Sequence, residues 1–76
     1  MAFIYREPCF ATFHGEIVEL CDSNKIIIRR FIMPNQVVGA QVSGSGENTM
    51  VSITMADGRW QLRTWDGVIT RQGSNR

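Results

Sequence analysis

The sequence predicts an all-β fold: a small antiparallel meander of five or six strands, rolled into an SH3-like or OB-like barrel. Three observations carry that expectation. β-branched and aromatic residues recur between turn signals, no stretch sustains a helical period, and two Asp-Gly dipeptides punctuate the C-terminal half.

The first β-prone segment, Cys9 to Leu20, changes phase partway. Phe13 and Ile17 share one parity, Val18 and Leu20 the other, and Gly15 lies between, which suggests a bulge or sharp bend in one long strand. Such a bend would let one strand serve both sides of a barrel. Lys25 to Met33 follows, introduced by Asp22-Ser23-Asn24, rich in isoleucine and stopped by Pro34-Asn35; it reads as a central strand. Because Arg29 shares its parity with Ile27 and Phe31, both sides of that strand are expected to be covered. Val37 to Ser43 is a shorter strand, and residues 44–48 are too rich in glycine and small polar residues to hold structure of their own.

Thr49 to Ala56 and Arg59 to Trp65 flank Asp57-Gly58, the signature of a two-residue hairpin turn. Counting outward from such a turn sets Met55 opposite Trp60, Ile53 opposite Leu62 and Val51 opposite Thr64 on an apolar face. Thr54–Gln61, Ser52–Arg63 and Met50–Trp65 then pair on a mostly polar one. A second such turn, Asp66-Gly67, returns the chain through Val68 to Arg71, placing Thr64 opposite Ile69 and Trp65 opposite Val68.

With 76 residues there is room for one domain, residues 1–76, with an N-terminal arm over 1–8 and a frayed tail over 72–76. A domain of this size buries only about 60% of the surface its unfolded chain exposes, so support from a second copy is expected. The apolar fraction of 43% and charged fraction of 20% exclude a disordered chain, and a net charge of +1 gives no strong field toward nucleic acid or membrane. No apolar run is long enough for a membrane span. Arg6, Glu7 and Pro8 stand where a signal peptide needs apolar residues, so the expected compartment is the cytoplasm and no membrane partner is foreseen. In that compartment Cys9 and Cys21 are expected to be free, buried thiols.

Catalytic and metal-binding patterns are weak. Cys9, His14 and Cys21 place three soft ligands in one region, but structural zinc takes four, often from closely spaced pairs absent here. A Cys–His catalytic pair would have to be made by the fold, since no motif supports it. Glu16 and Glu19 differ in strand parity, and Asp57 and Asp66 are accounted for by their turns. Gly44-Ser45-Gly46 lacks the Gly-Lys-Ser/Thr that completes a phosphate loop. No enzyme activity, cofactor or metal is therefore expected.

Binding has better candidates. Arg59, Gln61, Arg63 and Trp65 alternate along one strand and, on the expected register, project together beside Met50 and Val68. These six residues are the expected interaction surface of a non-catalytic binding protein that acts through protein–protein contact, as a homo-oligomer or with another protein. The alternative partner is single-stranded RNA or DNA, with Trp65 as the stacking platform and Arg59 and Arg63 on phosphates. The likeness to SH3-like and OB-like barrels is architectural and carries no motif.

Overall fold

The computed structural model describes residues 8–44 and 46–75; the expected arm over residues 1–8 lies outside them except for Pro8, which is buried. Among the described residues there are seven strands, all paired antiparallel: β1 (Phe10–His14), β2 (Ile17–Cys21), β3 (Ile27–Ile32), β4 (Val37–Ser43), β5 (Met50–Met55), β6 (Arg59–Thr64) and β7 (Ile69–Ser74). They form two sheets, β1-β2-β3 and β4-β5-β6-β7, that are not closed into a barrel. The class is the expected all-β one, with seven strands in place of five or six.

The extra strand comes from the first segment. Its change of phase is a hairpin and not a bend: His14 pairs with Ile17, Phe13 with Val18 and Ala11 with Leu20, around Gly15-Glu16. A two-residue loop makes partners differ in parity, so residues of opposite parity end on one face. The isoleucine-rich β3 is correspondingly an edge strand, not a central one, because β2 takes the middle of its sheet.

Three connections share one loop geometry. Around residues 23–25, 56–58 and 65–67, the third loop residue donates its N–H to the carbonyl of the residue before the loop: Lys25 to Asp22, Gly58 to Met55 and Gly67 to Thr64. That third residue has positive φ in each case: 66° at Lys25, 91° at Gly58 and 97° at Gly67. A three-residue hairpin loop ends in such a left-handed residue, and glycine takes the conformation without steric cost. Lys25 takes it because the Asp22 carboxylate accepts the N–H groups of Asn24 and Ile26 at 2.9 and 3.0 Å, pinning the loop.

The loops of three, where two were expected, shift both C-terminal registers. Thr54 faces Trp60, Ile53 faces Gln61, Ser52 faces Leu62, Val51 faces Arg63 and Met50 faces Thr64. On the next ladder Arg63 pairs with Ile69, and after a bulge Leu62 pairs with Arg71 and Trp60 with Gly73. Strand β7 runs on to Ser74, so Gln72 to Ser74 belong to the sheet and not to a frayed tail. Residues 44–48 also hold more structure than expected, since Gly46–Asn48 form a 3₁₀ turn whose Gly46 carbonyl accepts both the N–H and the hydroxyl of buried Thr49.

The two sheets face each other across one core. Val18, Leu20 and Phe31 come from the three-stranded sheet, Val37, Val51, Ile53 and Met55 from the four-stranded one, and Met33 from the crossover between them. That crossover is strapped to the first hairpin turn, with Met33 N–H on the Glu16 carbonyl at 2.7 Å and Val37 N–H on that of Gly15 at 2.8 Å. Beside it β1 lies against β4.

Gly67 is needed twice, for its positive φ and because a Cβ there would come within 3.1 Å of the Phe31 ring. Gly67→Ala should cost about 1–3 kcal/mol, and Lys25→Gly should add about 0.5–1 kcal/mol; urea unfolding midpoints check both.

Candidate interaction surfaces

The register decides where the six expected surface residues stand. Val51 and Ile53 point into the core, so their partners Arg63 and Gln61 are on the inner face as well. Gln61 is buried, Arg63 and Trp65 half-buried, Arg59 and Val68 exposed, and Met50 half-buried on the opposite side of the sheet beside Thr64. Met50 does not meet Trp65, and the six do not project together.

A guanidinium on an inner face needs partners. Arg63 lies over the Phe31 ring, 5.0 Å from its centroid, and donates from Nε to Gln61 Oε1 at 2.9 Å. Burial lowers its pKa below the ordinary arginine value. Arg29 lies over Trp65 at 5.6 Å. Two cation–π contacts thus tie β3 to β6 and to the loop that follows it, across the gap between the sheets. The Trp65 ring and the Arg63 guanidinium expected to engage a base and its phosphates are each taken up within the protein, by Arg29 and by Phe31. Arg59 donates to the Asp57 carboxylate, whose bonds from the Arg59 backbone N–H and guanidinium hold it below its usual pKa.

On its outer face the three-stranded sheet carries three cross-strand rows. Phe10, Cys21 and Ile27 make one, His14, Ile17 and Ile32 another, and Thr12, Glu19 and Arg30 the row between. Phe10, Ile27 and Ile32 are exposed, Ile32 at 78%, and Ile26 just before β3 is exposed too. Buried Glu19 accepts the Nε and Nη2 hydrogens of Arg30 at 3.0 and 2.7 Å, with His14 Nε2 at 3.5 Å. Those Arg30 hydrogen bonds, with smaller help from His14, keep the Glu19 carboxyl below the ordinary range against the opposing effect of burial.

Neither cysteine is in a disulfide; Cys21 is buried as expected and Cys9 is exposed. Phe10, not Cys9, is the cross-strand partner of Cys21, so the two thiols start from opposite faces. Among the described residues no group of three His, Cys, Asp or Glu side chains could hold a metal ion.

The apolar outer face was not anticipated. The sequence signal was the run Ile26-Ile27-Ile28, but a buried strand and an uncovered one carry the same run. No family model, curated protein or solved structure matches this chain.

Because the folded-state pKa of Glu19 is depressed, its contribution to stability is present above the ordinary carboxylate value. It is lost as pH falls through the folded value. In Arg30→Ala the Glu19 carboxyl should titrate at higher pH than in the wild type, and the acid-side loss of stability should begin at higher pH; NMR titration of the side-chain carboxyl with unfolding at several pH values checks both.

Proposed function

We propose that this chain is a non-catalytic binding protein that works by protein–protein contact and assembles with copies of itself through the outer face and open edge of its three-stranded sheet. The observation that carries this reading is the position of β3. It is an edge strand in a small domain, and Ile27 and Ile32, with Ile26 just before it, stand uncovered beside Phe10.

An edge strand presents unpaired backbone N–H and C=O groups that a second strand completes, and folded proteins ordinarily blunt such edges with charge, proline or a covering element. Here the outward side of the edge carries isoleucine at both ends and a single cation, Arg30, already committed to Glu19. Two copies meeting edge to edge about a twofold axis would complete the hydrogen bonding of both edges and bring together identical apolar rows. The size of the chain favours this arrangement, because burial between copies adds to a core that is small in each. Single-stranded nucleic-acid binding has less support, since Arg29 already lies over Trp65 and Arg63 over Phe31.

Sedimentation over a wide range of concentration should show a reversible oligomer, and Ile32→Lys should weaken it roughly tenfold or more while leaving the fold intact. A wild-type chain that stays monomeric throughout, or an oligomer indifferent to Ile32→Lys, overturns the proposal.

A further inference from the structure

The second candidate region lies on the opposite sheet and does not depend on self-assembly. Register places Met55, Arg59, Gln61, Gln72 and Ser74 on one side of the four-stranded sheet, the inner one. Together with Trp60 and Gly73 they line a cavity of about 290 Å³. That volume is at the lower end of the range for small-molecule pockets.

Gln61 gives the cavity its chemistry. The residue is only 9% exposed, yet only one end of its amide is used. Oε1 accepts from Arg63 Nε, which fixes the orientation of the group and turns Nε2 away from that guanidinium. Among the described residues Nε2 has no hydrogen-bond partner, and none of their sealed side-chain polar atoms is left unsatisfied. Nε2 therefore keeps some exposure, and Gln61 is one of the residues that line the cavity. Its two N–H donors, fixed in orientation by the bond to Arg63, are available to an acceptor.

The other groups narrow the kind of acceptor. Among the described residues Arg59 supplies the only formal charge in the lining and none of the lining side chains is a carboxylate; Asp57 takes the Arg59 Nε hydrogen, leaving the terminal guanidinium nitrogens. Gln72 brings a second amide from across the β6–β7 ladder. The mostly apolar lining suits a short hydrocarbon body. We propose that this cavity binds a small aliphatic carboxylate, its oxygens on Gln61 Nε2 and the Arg59 guanidinium and its hydrocarbon part against the apolar part of the lining.

The test is a titration of the ¹⁵N-labelled full chain with butanoate, with butanamide as the neutral control of the same shape. Saturating shifts are expected at the Gln61 side-chain amide and at the backbone of residues 59–61 and 72–74 with butanoate, and no saturation with butanamide. Gln61→Glu still offers an acceptor to Arg63, so the fold is kept, but it replaces the donor with a repelling oxygen. Affinity should fall by about tenfold or more, and a Gln61→Glu spectrum that otherwise overlays the wild type separates this from unfolding. No saturation with butanoate, equal binding of butanamide, or unchanged affinity in Gln61→Glu overturns the proposal.

Discussion

Each C-terminal hairpin is closed by a loop of three residues whose last member has positive φ, and most of the molecule's particular character follows from that constraint. A three-residue loop makes cross-strand partners share parity, whereas a two-residue loop makes them differ. Once Val51 and Ile53 face the core, Arg63 and Gln61 must face it too. The inner face of the four-stranded sheet is then apolar on β4 and β5 and polar on β6.

The polar half is made tolerable by local pairing. Phe31 gives Arg63 a ring to lie on, Gln61 gives it an oxygen, and Gly67 leaves room for the ring by having no side chain. A charge half removed from water is stable only when its hydrogens and its field are answered. These contacts also join the sheets where aliphatic packing ends, so the same residues fix how β3 sits relative to the β6–β7 loop. Farther along β6 the inner face carries Gln61 and Arg59 toward β7, and the cavity lies there.

The three-stranded sheet has the reverse distribution. Its inner face is mostly aliphatic and aromatic, while its outer face holds the ion pair of buried Glu19 with exposed Arg30 between two apolar rows. Arg30 and His14 shield Glu19, and exposed Phe10, Ile27 and Ile32 surround that polar strip. The four-stranded sheet therefore carries polar groups on its inner face and the three-stranded sheet apolar groups on its outer one, and the two candidate surfaces arise at those places.

The sequence by itself determined the all-β class, most strand segments and the positions of the turns after Cys21. These depend on local features: β-branched residues, Asp-Gly dipeptides, and the stop at Pro34. Val37 to Ser43 was legible to the residue for that reason. Tertiary structure decided what locality cannot encode. An Asp-Gly pair closes a loop of two or of three residues, and the choice, which reverses the face of every residue on β6, depends on which register lets the two sheets pack. Likewise Ile26-Ile27-Ile28 reads the same in a central strand and at an edge, because strand order is set by which neighbours complete the ladder. The outer face of β3 and the cavity beside Gln61 both follow from those nonlocal choices, so neither was visible before the strands were assembled.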